Sequence, residues 1–173
     1  MIQDDEVDLE ADETSHIEDT FLTFTLGAEA YAIPVRFVTE IVRLQKTFAL
    51  PDVPTYVRGV INLRGKVIPL LDVRGRFGMP DTGYTDRTVV VVIEHNDAPT
   101  GLVVDAVSEV TEIAPDAIEA QRSLSDEVRA SMVSGVAMRG EAVILILDVP
   151  TLLHATRVNS AARVSASATG GRA

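Results

Sequence analysis

VRGVINLRGKVIPLLDVR, residues 57–74, is the stretch on which the fold turns. It is largely apolar, with Gly59 and Gly65 as punctuation and Arg58, Asn62, Arg64, Lys66 and Arg74 as interruptions. Two apolar runs meeting at Arg64-Gly65-Lys66 predict a β-hairpin. Val60, Leu63, Val67, Ile68, Leu70 and Leu71 are its expected core, each buried large side chain stabilising by roughly 1.5–3 kcal/mol. Gly59 is expected where the backbone adopts a conformation, or makes an approach, that a Cβ would block. Asp72, closing the second run, is expected to cap a short helix reaching Phe77.

The same pattern recurs further along. VSGVAMRGEAVILILDV (133–149) repeats it at an offset of 76: Val57, Gly59, Val60, Val67, Leu71, Asp72 and Val73 meet Val133, Gly135, Val136, Val143, Leu147, Asp148 and Val149. The Arg64-Gly65 and Arg139-Gly140 turns differ by one position. A second match precedes it: AIPVRFVTEIVRL (32–44) lies over GLVVDAVSEVTEI (101–113) at an offset of 69, so that Thr39 meets Ser108, Glu40 meets Glu109 and Ile41 meets Val110. Two matches in one order mark a duplicated β unit, with lobe one over about 20–79 and lobe two over about 86–154.

Each unit divides into short elements. TFLTFTL alternates, with Phe21, Thr23 and Thr25 on one side and Leu22, Phe24 and Leu26 on the other. GAEA is a turn and YAIPV a strand, with Pro34 predicting an edge or a bulge. LPDVPTYVRG predicts a short helix, capped by Asp52 and ended by Gly59. MPDTGYTD is the linker. TVVVVIE, GLVVDAVSEV, VSGVAM and AVILILDV are strands, SLSDEVRASM a short helix and DVPTLLHATR a closing helix. Many short strands between turn signals predict small closed barrels rather than a parallel sheet. Closure also hides strand edges that would otherwise aggregate.

The chain of 173 residues has a formal charge of −11 that is unevenly spread. Residues 1–19 hold nine acids and no Lys or Arg, whereas residues 155–173 hold three Arg and no acids. Both tails, 1–19 and 155–173, are expected to be disordered, flanking one folded domain over 20–154. The folded middle is also net acidic, which argues against nucleic acid as a partner. No apolar run approaches the length of a membrane helix, so no membrane insertion is expected. The absence of Cys removes disulfide and thiolate chemistry and fits a reducing compartment.

Signatures of catalysis are missing. His16, His95 and His154 stand alone, without metal-ligand spacing, and no nucleophile elbow or phosphate loop is present. Asp72 and Asp148 end apolar strands, a place where carboxylates can serve metals or phosphates. Their repeated position before a helical turn favours capping. The expectation is no enzyme and no cofactor. A small enzyme or ligand-binding barrel built on those two aspartates and the histidines is the competing class.

FLTFTLGAEAYAIPV, RGVINLRGKVIPLLDVR, TVVVVIE and GLVVDAVSEV together resemble the CheW family of bacterial chemotaxis adaptors, over about residues 20–153. The resemblance implies an all-β fold with short helices: two five-stranded SH3-like barrels packed together. It implies a cytoplasmic adaptor at receptor arrays under the inner membrane. Its partners would be the cytoplasmic tip of methyl-accepting chemoreceptors and the regulatory domain of the histidine kinase CheA, itself of the same fold. The chain has no room for a fused receiver or kinase domain, so a stand-alone adaptor is expected. A similar adaptor serving a CheA-like kinase in pilus or surface-response motility is the alternative.

By the same resemblance the partner-binding positions fall on Val38, Glu40, Gly59, Arg64 and Val110, with Asn62 added for its place beside the hairpin tip. Two roles compete for Arg64: facing a partner, or pairing locally with Glu40. For Val38 the choice lies between core and the lining of an apolar groove for a helical receptor tip. Glu40 recurs as Glu109, so a shared structural role competes with partner contact there.

Overall fold

The structure, a computed structural model, describes residues 17–120 and 127–154. The expected disorder of the tails, His16 and the end of the closing helix lie outside these residues, apart from the last three residues of the acidic tail. Among the described residues, eleven strands form two sheets. In chain order they are β1 (Thr20–Leu26), β2 (Glu29–Pro34), β3 (Val38–Arg43), β4 (Val57–Leu63), β5 (Lys66–Asp72), β6 (Val89–His95), β7 (Ala98–Val104), β8 (Ala106–Glu112), β9 (Ile118–Glu119), β10 (Val133–Arg139) and β11 (Ala142–Leu147). Helices are short: Val73–Arg76, Glu127–Met132 and a segment over 149–154. The mostly-β expectation is met.

One sheet runs β3-β6-β7-β5-β4 and the other β8-β1-β2-β11-β10-β9. The first curls on itself because the segment after β3, at one edge, crosses to the other edge, where Phe48 bridges Val60 of β4. The second does the same: the chain leaves β8 at one edge and returns as β9 against β10 at the other. We call the two barrel one and barrel two. Their registers match position for position under the sequence offsets. Leu70 pairs with Gly101 in parallel β5–β7, and Ile146 pairs with Ala32 in parallel β11–β2. Glu40 faces Val92 after a bulge at Thr39, and Glu109 faces Thr23 after a bulge at Ser108. The aligned polar pair Thr39 and Ser108 thus supplies the extra residue of equivalent bulges, each of which tightens the local twist.

The sheets do not part at the expected boundary between 79 and 86. Barrel one takes β3, β4 and β5 from the first repeat and β6 and β7 from the second; barrel two takes β8–β11 from the second and β1 and β2 from the first. Each repeat therefore gives its opening hairpin to the other barrel, and parallel β5–β7 and β11–β2 pairing holds it there. Both faces of β1 are consequently buried. Phe21 enters the interior of barrel two with Ile113, Ile144 and Ile146. Leu22, Phe24 and Leu26 enter a larger core between the barrels, with Tyr31, Leu71, Val91, Leu102 and Leu147. Barrel one has its own interior around Ile61, Leu63, Ile68, Leu70 and Val92.

Four local expectations are corrected. No helix forms over 51–58; Asp52 sits at φ +55 in a turn, and Pro51 and Pro54 hold this segment out of the helical ladder. Gly59 ends no helix. It lies inside β4 beside a bulge, at φ +136. Pro34 ends a central strand rather than an edge, at a point beyond the β11 ladder, which stops at Ala32 and so asks no N–H of it. Asp72 does cap its helix, accepting from the Arg74 N–H at 3.1 Å. Val67 is not core; it is 64% exposed on the hairpin.

Candidate functional site

The hairpin β4–β5 turns through Arg64 (φ +52) and Gly65 (φ +85), the pair of positive φ values that a two-residue turn matched to strand twist requires. Asn62 fixes that turn: its Oδ1 accepts from the Gly65 N–H at 2.9 Å. The turn carries the Arg64 guanidinium across to Glu40 on β3, and the two form an ion pair. The Arg64 side chain is 69% exposed and that of Glu40 32%. Such a pair contributes at most about 1 kcal/mol to folding, so its position matters more than its strength. Beside it opens a notch of about 420 Å³ at the mouth of barrel one, lined by Thr39, Glu40, Leu63, Arg64, Glu94 and Pro99. Ile41, Phe48 and Val67 are exposed apolar side chains of the same barrel.

The remaining expected positions fall elsewhere. Val38 is half-buried and packs against the core between the barrels. Gly59 is buried, and a Cβ on it would stand 2.1 Å from the Phe48 carbonyl oxygen. Its influence on the surface passes through the segment that carries Phe48. Val110 is exposed, but on β8 of barrel two. The six residues thus form one cluster of Glu40, Asn62 and Arg64, two supporting positions, and one residue on the other barrel.

Val110 belongs to a second copy of the same arrangement. Glu109 and Arg139 form an ion pair at 3.2 Å, with Arg139 also donating to the Thr111 hydroxyl. Val110, Met138 and Val143 are exposed on the same barrel, the counterparts of Ile41, Asn62 and Val67. The one-position shift between the Arg-Gly pairs has a structural cause. Gly140-Glu141 makes the second turn, so Arg139 is the last residue of β10 rather than a turn residue. Phe48, Ile41 and Met138 were not singled out from sequence; the signal available was the offset itself, which places Ile41 on Val110.

A separate polar network holds the linker. Buried Asp72 takes Arg58 through Nε at 3.0 Å and Nη2 at 2.8 Å, and the Tyr84 hydroxyl donates to it at 3.4 Å. Arg58 also reaches Asp81 at 3.3 Å. Arg74 donates to the Pro80 carbonyl and, through Nε and Nη2, to Asp105 at 2.8 Å each, while Asp105 also accepts from the Gly27 N–H at 2.7 Å. The bonds from Arg74, helped by the Gly27 N–H and opposed by partial burial, hold the Asp105 carboxyl below the usual carboxylate value. Asp148 instead accepts from the Thr151 hydroxyl at its own corner. His95 lies edge-on to Phe37. The two aspartates therefore occupy separate corners in separate barrels rather than one polar pocket. Among the described residues no group of His, Asp and Glu is arranged to hold a metal ion, and no helix is long and apolar enough to cross a membrane.

Residues 20–157 match the sequence profile of the CheW-like domain. The chain is 32% identical to the chemotaxis protein CheW of Klebsiella aerogenes, over 77% of this chain and 80% of that one. It is 34% identical to the chemotaxis protein CheW of Helicobacter pylori, with the same coverage. It is also 34% identical to the protein PilI of Pseudomonas aeruginosa, over 49% of this chain and 47% of that one. In three dimensions it is similar to the scaffolding protein TtCheW from Thermoanaerobacter tengcongensis, with a TM-score of 0.72 and 30% identity, covering 79% of this chain and 88% of that one.

Proposed function

Since this chain belongs to the CheW family, we propose that it is a non-enzymatic, cytoplasmic adaptor coupling chemoreceptors to the histidine kinase CheA in signalling arrays. The observation that carries this reading is the doubled surface. Two corresponding ion pairs, Glu40–Arg64 and Glu109–Arg139, lie on separate barrels, each of which also exposes apolar side chains. A body with two such faces can hold two macromolecules at once. Its contribution is thermodynamic: a receptor state that binds the complex better shifts the kinase equilibrium by that difference in free energy. Val38, Glu40, Gly59, Asn62 and Arg64 serve one face, Glu40 and Arg64 by contact, Asn62 by fixing the turn, and Val38 and Gly59 from beneath. Val110 serves the other.

Co-sedimentation of the purified protein with receptor-tip fragments and the kinase regulatory domain tests the reading. Ternary recovery is expected, and the reading fails if neither partner is retained. A second reading, an adaptor for a CheA-like kinase of pilus or surface motility, draws on the similarity to PilI. Retention of that pathway's kinase in place of the chemotaxis kinase distinguishes the two.

A further inference from the structure

The two barrels differ in electrical character, and the acidic N-terminal segment leaves the fold at their seam. Residues 35–104, which build barrel one, hold nine Lys and Arg against seven acids, whereas residues 20–34 and 105–154, which build barrel two, hold three against ten. The exit point is fixed by β1: Phe21 lies opposite Pro34 of β2, and Thr20 opposite Glu112 of β8. On the β8 side the chain continues through Glu112, Asp116 and Glu119. On the β2 side, two residues past Pro34, stands exposed Arg36, followed by β3. Like charge on one side and opposite charge on the other steer an acidic segment toward β3.

β3 is suited to receive it. It is the terminal strand of its sheet, hydrogen-bonded to β6 alone. Thr39, Ile41 and Arg43 form its exposed row, and exposed Arg36 and Lys46 flank it. Among the described residues, no carboxylate pairs with Arg36, Arg43 or Lys46; two of the three rest over rings instead, Arg36 over Phe37 and Lys46 over Phe48. The N-terminal sequence offers a complementary pattern. In DDEVDLEADE (residues 4–13), Glu6, Asp8, Glu10 and Asp12 alternate with Val7, Leu9 and Ala11, the period of two that a strand needs. Too acidic for a core, this pattern sets four carboxylates along one side of an extended segment, opposite in charge to the cations on and beside β3. Its ten residues span about 33 Å when extended, more than the roughly 20 Å of the six-residue β3.

We propose that the outer edge of β3 is the docking site of this chain's own acidic segment 4–13. Its carboxylates face Arg36, Arg43 and Lys46. A tethered segment acts at an effective concentration on the order of millimolar, so it shields Ile41 and the flank of Glu40 from any weaker partner. That last consequence rests on the adaptor reading; the docking itself does not.

The chain has no Cys, so Val7→Cys introduces one thiol for a spin label. In about 25 mM salt, paramagnetic broadening of amide signals is expected to concentrate on residues 36–46. It should vanish at about 500 mM salt, where the screening length is only a few ångströms. It should vanish too in the Arg36→Glu/Arg43→Glu/Lys46→Glu protein, and on replacing the tail's acids with Asn and Gln, a change that leaves the barrels untouched. Broadening that is absent, evenly spread or indifferent to charge reversal overturns the proposal. A chain lacking residues 1–16 is expected to bind its barrel-one partner about tenfold more tightly at low salt and equally at high salt. Docking without any change in affinity would leave the proposal standing and remove the barrel-one face from the adaptor reading.

Discussion

Gly59 lies directly beneath the backbone of Phe48, so close that a Cβ on the glycine would stand 2.1 Å from the Phe48 carbonyl oxygen. The obstacle is backbone, and Phe48 and Val60 hold it in place through two hydrogen bonds of 2.8 and 2.9 Å. Gly59→Ala should therefore cost roughly 3 kcal/mol, from the unfavourable φ of +136 together with the clash. Thermal melting measures the loss. A fall of only a degree or two would show that the strand crossing closes barrel one less firmly than this contact implies.

The exposed ion pair separates stability from recognition. Glu40→Lys and Arg64→Glu should each change folding stability by under about 1 kcal/mol. Partner affinity, measured by calorimetry, should fall at least about tenfold, since a contacting charge is then reversed against its target. The double variant Glu40→Arg/Arg64→Glu restores the local pair with its polarity inverted. If it also restores binding, the pair serves to hold the hairpin and touches no partner.

Arg74 and Asp105 tie the helix after β5 to the corner between β7 and β8, and Asp105 ties that corner to the β1–β2 turn at Gly27. A carboxyl held below its ordinary value stabilises the fold at every pH above that value, and the benefit drains away as pH falls through the depressed one. Denaturant titrations of the wild-type protein should therefore show an added loss of stability below about pH 3.8. The Asp105→Asn protein should be less stable at neutral pH and should lose less on acidification. Parallel profiles for the two proteins would refute the assignment.

The two faces should fail independently. Ile41→Arg and Val110→Arg both change exposed positions, where substitutions usually move stability by less than about 0.5 kcal/mol. In paired pull-downs with receptor tip and kinase domain, each variant should lose a different partner. Loss of the same partner by both would mean that one molecule spans the two barrels.

Much of this architecture is legible in the sequence because the duplication is. Offsets of 69 and 76 align β1–β3 with β6–β8 and β4–β5 with β10–β11, and the shared bulges at Thr39 and Ser108 leave a polar mark at one offset. What periodicity cannot encode is which copy a hairpin joins. Both β1 and β6 bury residues on two faces, so their alternation does not say which barrel each completes. The misread helix at 51–58 has a similar origin. Asp52 favours a cap, but equally tolerates the left-handed turn it adopts at φ +55. At the site, pairing with Glu40 is one of two roles the sequence leaves open for Arg64, whereas the part Asn62 plays in the turn and the position of Val110 on the other barrel need the strand order. Phe48 gave little warning, because a lone aromatic in a polar loop carries no period.

The crossed hairpins carry a consequence for descent. A polypeptide holding one repeat would lack the two strands that complete its barrel, and would present the two that a second molecule lacks. Two such molecules completing one another form a symmetric dimer, and joining them end to end through a short connector gives the present chain. The seam packed by Phe24, Tyr31, Leu71 and Leu102 then corresponds to a former subunit boundary. Once both halves were encoded in tandem, their twin outer faces were released from being identical. Asn62 on one and Met138 on the other record how far they have since drifted apart.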